Sequence, residues 1–351
     1  MTADQDRAGE VIVGVDTHAD THVAVVIDDV GRRLGELHVA TTPRGYRELV
    51  VWARQFGRLD RAGVEGGGAY GAGLVRFLRG EGVEVIEVDR PNRQRRRRKG
   101  KSDPVDAEAA ARAVLAGDAT TTPKDTTGVV EAVRILHLTR RSAVKAKTQA
   151  GNQMKDVILT APDELRSQLR GLTTRQRVKV CARWRPGPVT DPLSAARRSL
   201  HDLAKRWEAL HDEIKAHDAD LRRLLDGLVP TLLDEAGVGT EVAAKLVIAA
   251  GENPGRLRND ASFAALCGAS PVEASSGKHQ RHRLNRGGNR QANNALHVVV
   301  LHRSRTCPET RAYIERRRAE GKTDREIWRC LKRALARRFH NQIKHDLHLL
   351  T

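Results

Sequence analysis

The chain has 351 residues, enough for two domains with separate cores, and its 39% hydrophobic content suits globular packing. Its 62 Lys and Arg against 44 Asp and Glu leave a formal charge of +18, which points to a polyanion held by phosphate neutralisation. Aromatics at 3% argue against base stacking on aromatic platforms. Four scattered cysteines without a CxxC pair exclude the usual zinc frameworks and a disulfide scaffold, and no run approaches the roughly 20 apolar residues of a membrane span. With no apolar leader either, the chain is expected in the cytoplasm.

The β-branched runs VIVGVD (11–16) and HVAVVID (22–28), then RRLGELHVA (32–40), predict three strands, and the short gaps between them predict an antiparallel meander. A helix follows at about 43–56, a strand at RAGVE (61–65), a helix at about 70–80 and a strand at VEVIEVD (83–89). An Ala-rich helix at 103–117 stops at Gly117. The order β-β-β-α-β-α-β-α is that of the ribonuclease H-like fold. Residues 128–160 read as a long helix with a basic outer face (Arg140, Arg141, Lys145, Lys147, Lys155), ended by Pro162. The Arg-rich segment 163–190 reads as irregular, with WRPGPVTDP as a linker.

A heptad series then runs Leu193, Ala196, Leu200, Leu203, Trp207, Leu210, Ile214, His217, Leu221, Leu224, Leu228, its steps alternating three and four. This predicts a coiled-coil seam roughly 50 Å long, paired within the chain or between chains. From Val229 the chain reads as compact and helical. The stretch 232–251 gives helix, Gly-Val-Gly turn, helix, either a plain corner or a hairpin that presents N–H groups to phosphate. Two last helices, about 308–320 and 322–345, combine core packing with a basic face. The fold class is α/β plus α. It comprises a ribonuclease H/RuvC-like domain (1–120), a basic helix, linker and coiled coil (121–228), and a mainly helical C-terminal domain carrying a serine loop (229–351).

Four carboxylates stand where this strand order brings chain segments together. Asp16 ends the first strand, Glu65 ends the fourth before three glycines, and Asp103 and Asp106, three residues apart, share one face of the last helix. The first and fourth strands are neighbours in such a sheet, and the last helix packs across their ends. Four converging carboxylates repel one another unless cations sit between them, and hard oxygen ligands at this density suit Mg²⁺ or Mn²⁺. The run RPNRQRRRRKGK (90–101), with Arg95, Arg96, Arg97, Arg98, Lys99 and Lys101, is a charged loop suited to nucleic acid.

In GASPVEASSGKHQRHRLNRGGN, Ser275 and Ser276 precede a glycine and the phosphate-neutralising Lys278, Arg281, Arg283 and Arg286. The Walker P-loop spacing is missing, no partner ligands support zinc at His279 and His282, and no nucleophile elbow surrounds Ser276. What remains is a hydroxyl among cations. Serine needs a base, a metal or a strongly positive site to act as a nucleophile, so spacing alone makes Ser276 a phosphate contact.

The motifs GVDTHADTHVAVVID, VEGGGAY and KSDPVDAEAAARAV, followed by LLDEAGVGTEVAAKLVIAAG, FAALCGASPVEASSGK and NRGGNRQANNALH, change that balance. From about residue 10 to 345 the chain resembles the insertion-sequence 110 family of transposases, which includes the Piv-like site-specific DNA invertases. The family's acids fall on Asp16, Glu65, Asp103 and Asp106, and its nucleophilic serine on Ser276. The resemblance implies DNA strand cleavage and transfer, with a transient phosphoserine link and metal-bound acids assisting. It also implies double-stranded DNA (element ends and target), a structured non-coding guide RNA, and a homo-oligomer, dimer or tetramer, in which acids and serine come from different protomers. The chain departs from the pattern at Asn293 and Asn294, where members often carry two arginines. A metal-dependent RuvC-like nuclease or junction resolvase without a covalent intermediate is the rival reading, and a catalytically silent nucleic-acid binder is the second.

Overall fold

A computed structural model of the chain describes residues 9–88, 102–253, 257, 259–275 and 282–348. They fall into two compact units, one within Met1–Thr127 and Gly251–Arg256, the other within Gly128–Ala250 and Leu257–Thr351.

The first unit runs β1 (Glu10–Thr17), β2 (Thr21–Asp28), β3 (Arg33–Ala40), α1 (Pro43–Arg54), β4 (Arg58–Glu65), α2 (Ala72–Gly80), β5 (Glu84–Val88) and α3 (Asp103–Leu115). The sheet order is β3-β2-β1-β4-β5; β1, β2 and β3 pair antiparallel, and β4 is parallel to both β1 and β5. This is the mixed sheet expected of a ribonuclease H-like domain.

Alternation decides which helix meets which face. Val11, Val13 and Val15 join Ala24 and Val26 in a core closed by Leu49 of α1 and Leu74 and Leu78 of α2. Ile12, Val25 and Ile27 face the other way, onto Ala107, Ala110, Ala111 and Val114 of α3. Buried on both faces, β1 and β2 read as near-continuous apolar runs. The chain returns to this unit through Asn253, whose side chain donates to the Pro123 carbonyl at 3.0 Å and accepts from the Asp125 N–H at 3.3 Å.

The second unit is built on α4 (Val129–Thr160) and α7 (Pro192–Leu228), which pack along their lengths. They run antiparallel. Val130 and Val133 near the start of α4 share a core with Leu221, Leu225 and Leu228 near the end of α7, and Met154 and Ile158 share another with Leu200 and Ala204. Of the heptad series, Leu200, Ile214, Leu221 and Leu228 are buried within the chain itself. A capping box between Asp191 and Ser194, with Pro192 in the first turn, starts α7.

The segment read as irregular contains two short helices instead, α5 (Asp163–Leu169) and α6 (Thr174–Cys181). Their arginine content hides a minimal apolar stripe, Leu165 with Leu169 and Val178 with Cys181, all buried. A capping box between Thr173 and Gln176 opens α6.

The rest comprises α8 (Pro230–Leu233), α9 (Thr240–Ala250), α10 (Asp260–Leu266), the two-residue strands β6 (Val272–Glu273) and β7 (His282–Arg283), α11 (Arg290–Thr306), α12 (Pro308–Ala319) and α13 (Asp324–His348). Before the Gly-Val-Gly turn there is only one helical turn. Beyond it, seven of the eleven residues of α9 are buried in the core. Burial pushes the Cys181 thiol up to about 11 and the Cys267 thiol up to about 12, so both are packing groups, not reactive ones. No helix of the described residues is long and apolar enough to cross a membrane.

Candidate active site

The β1–β4 ladder pairs Val15 with Val64, so the next residues, Asp16 and Glu65, end adjacent strands side by side. Both alternate with valines of the α1 and α2 core, which turns them toward the face that α3 covers. A bond from the Thr17 hydroxyl to the Glu65 carbonyl, 2.7 Å long, ties the two strand ends.

Two glycines let α3 lie on the sheet. A Cβ on Gly14 would sit 2.0 Å from the Ala107 carbonyl oxygen and 2.5 Å from the Ala111 nitrogen, and one on Gly63 would sit 2.7 Å from the Ala110 oxygen. The helix answers with alanines at all three contacts. Its first turn, which carries Asp103 and Asp106, is thereby placed at the carboxyl ends of β1 and β4.

The resulting cluster includes a residue that sequence reasoning missed. His18 Nε2 lies 3.3 Å from Asp16 Oδ2 and 3.4 Å from Asp103 Oδ2. One ligand atom from each of Asp16, His18 and Asp103 falls within 4.8 Å of the others. The signal was present in GVDTHAD: residues two apart on an extended strand share a face. Asp16 and Asp106 are 8% and 2% exposed. Burial pushes the Asp16 carboxyl above its ordinary range; His18 opposes the shift, and the charges of Asp103 and Asp106 add to it. A cation relieves this strain, and three carboxylates within mutual influence are the donor set of a hard divalent ion. The histidine adds a nitrogen donor that Mn²⁺ accepts more readily than Mg²⁺.

The remaining site residues lie elsewhere. Arg140 does not face outward as a basic contact: its guanidinium bonds to Asp218 at 2.5 Å and Glu241 at 2.7 Å. Arg141, Arg283 and Arg286 are exposed. Ser276, Lys278, Arg281 and the run Arg95, Arg96, Arg97, Arg98, Lys99 and Lys101 lie outside the described residues. The strands β6 and β7 flank the serine segment and pair antiparallel, Val272 with Arg283 and Glu273 with His282. Asn293 donates to the carbonyls of Cys267 and Gly268 at 2.8 and 3.1 Å, and Asn294 accepts from Lys245 at 3.1 Å.

Comparison with known proteins adds three findings. The DEDD transposase family model of IS110, described as a transposase, matches residues 13–162, the span that holds all four acids. A second, described as a transposase of the IS116/IS110/IS902 family, matches residues 230–315, the span that holds the serine loop. The chain is also similar to the insertion element IS110 uncharacterized 43.6 kDa protein of Streptomyces coelicolor, at 34% identity over 125 residues. That match covers 34% of this chain and only 30% of the relative's length. With both spans matched in one chain, and with an acid cluster at the carboxyl ends of a mixed sheet, the protein belongs to the IS110 family of transposases.

Proposed function

We propose that the chain is the transposase of an insertion sequence, cutting and rejoining DNA by strand exchange. The observation that carries this is the crowding of Asp16, His18 and Asp103, with Asp106 buried beside them, at the carboxyl ends of β1 and β4. The similar protein of Streptomyces coelicolor is named for an insertion element, which agrees with the reading.

In this reading Asp16, Glu65, Asp103 and Asp106 hold Mg²⁺ or Mn²⁺, and His18 Nε2 stands beside Asp16 and Asp103 as a further donor to the ion. The ion, when bound, supplies charge stabilisation at phosphorus. Ser276 is the nucleophile. Its hydroxyl gives up a proton as Oγ bonds to phosphorus, the bond from phosphorus to the leaving sugar oxygen breaks, and that oxygen takes up a proton. Attack by a second strand's hydroxyl on the phosphoserine reverses the bookkeeping and frees the serine.

Residues 1–120 act as the RuvC-like acid domain, 121–228 as the helical connector, and 229–351 as the serine-bearing domain. Double-stranded DNA at the element ends and target is the substrate. An element-encoded structured RNA supplies sequence choice, and a dimer or tetramer, aided by the long helices, brings acids and serine together. Delegation to an RNA suits a strongly basic chain with few aromatics.

Adduct trapping tests the chemistry. Purified protein, element-end DNA, Mg²⁺ and co-purifying RNA are incubated and run on a denaturing gel, with Ser276→Ala beside the wild type. The expected outcome is a protein–DNA band present in the wild type and absent from the variant. Cleaved DNA without a band, cut equally by both, instead identifies a hydrolytic nuclease whose serine loop only clamps.

A further inference from the structure

The second unit contains a cavity of about 650 Å³ whose walls come from both flanks of the serine segment, Gly268–Pro271 before it and His282–Asn285 after it, and from one face of α13. Its lining is strongly cationic. Among the described residues Glu326 is the one acid on its wall, and Arg283, Arg329, Lys332 and Arg333 are among the bases.

Most of these cations have counter-charges. Arg333 and Arg337 lie 3.5 and 2.7 Å from Asp260, Arg329 lies 3.9 Å from Glu326, and Arg317 is paired with Glu320. Lys332 is different. It is 8% exposed, and among the described residues no carboxylate lies within ion-pair distance of it. Its Nζ donates to Asn293 Oδ1 at 3.0 Å. Asn293 cannot turn away, because its amide nitrogen is committed to two backbone carbonyls, those of Cys267 and Gly268. An ammonium carries three donors, and a neutral amide oxygen compensates a buried charge poorly. Burial, with Arg329 nearby, holds Lys332 below its ordinary range, a shift that a bound anion opposes.

We propose that this cavity is a phosphodiester pocket, in which Lys332, aimed by Asn293, holds a backbone phosphate of nucleic acid between the flanks of the serine segment. The two free oxygens of a phosphodiester match the two remaining ammonium donors, and the guanidinium groups on the wall are pre-positioned by their own carboxylates for the neighbouring phosphates. The pocket deepens the recombinase reading and rests on it only for what the phosphate does there, since binding itself needs no chemistry.

The test uses the full chain in chelator, so that no cleavage occurs, with fluorescent DNA and RNA duplexes of one sequence titrated at several salt concentrations. Lys332→Gln is compared with Lys205→Gln, which removes an exposed lysine from α7. The expected result is a Kd raised about tenfold or more by Lys332→Gln but less than about twofold by Lys205→Gln, with the salt slope shallower by about 0.9 for the lost contact. Asn293→Ala, which keeps the charge and loses the aim, is expected between the two. A loss confined to one duplex names the backbone that the pocket takes. If Lys332→Gln fails to fold, Arg329→Gln at the same wall carries the same expectation. The proposal is overturned if Lys332→Gln, or Arg329→Gln in its place, matches Lys205→Gln on both duplexes. Binding lost in the variant while wild type forms no serine adduct keeps the pocket and rejects the recombinase; binding retained while the adduct forms does the reverse.

Discussion

Asp16 illustrates how a buried carboxylate is held against its own preference. Burial and two neighbouring acids all disfavour its charge, and only His18 favours it. Without a cation, Asp16→Asn removes repulsion and not support. The variant is therefore expected to melt higher than wild type by about 2–4 °C in chelator, corresponding to about 1 kcal/mol in a domain of this size. Mg²⁺ should raise the wild-type melting temperature and leave the variant's unchanged, while strand cleavage by the variant falls to background. An equal Mg²⁺ shift in both proteins would show that the ion is not held by Asp16.

Two other acids behave in the opposite way. Burial pushes Glu241 upward, but hydrogen bonds from His137 and Lys245 outweigh it and bring the group down to about 2. Glu235, 9% exposed, is likewise held low against its burial by Gln342, Arg303 and Arg338. A depressed carboxylate contributes stability that is complete above its unfolded pKa and is lost as pH falls through its folded one. The urea midpoint is thus expected to be level near neutrality and to drop as pH falls from about 4.5 toward 2. Glu241→Gln should start from a lower midpoint and lose less over that window. Parallel curves for the two proteins would remove Glu241 from the account.

At the level of elements, the seat of α3 is the most exacting contact. Gly14→Ala drives a methyl into the Ala107 carbonyl, backbone that cannot swing aside as a side chain can. It is expected to cost at least about 1–3 kcal/mol of stability, the usual range for overpacking, and to weaken metal binding because Asp103 and Asp106 move with the helix. Gly68→Ala, where nothing lies within 4 Å, is the matched control and should unfold close to wild type. Denaturant titration with Mg²⁺-dependent melting separates the two, and indistinguishable variants would show that α3 can shift freely.

The first unit's elements were legible in the sequence because each carries a strong local signal. Buried strands two deep in valine and isoleucine, a Thr-Pro helix start at α1 and an Ala-rich α3 all state their type within a few residues. Short helices did not. In α5 and α6 two apolar positions are too few to show a period against an arginine background. The helix α11 escaped notice because its apolar residues stand among asparagine, histidine and arginine. His18 escaped for another reason: its partner Asp103 is distant in sequence, and only the fold supplies the second contact.

Across the whole molecule, the count of basic residues overstates the charge available to a polyanion. Arg140 and Arg303 are already paired with Asp218 and Glu235, so part of the 62 Lys and Arg is framework. The sequence alone could not divide structural from available cations, since the partner carboxylates lie tens of residues away. Composition points to a polyanion as a class and leaves its place open. The matched spans, 13–162 and 230–315, fall in the acid-bearing and serine-bearing parts, and the helices α5 to α7 in between lie outside them.

The Gly14 and Gly63 contacts have a consequence for heredity as well as for packing. The address of Asp103 and Asp106 is written on two other strands, in the form of side chains that are missing there. A transplant of α3 between relatives would carry the acids and leave their coordinates behind. Recombinant hybrids that split this unit between β4 and α3 should therefore inherit every acidic letter and still misplace the word, unless both glycines and the facing alanines travel together.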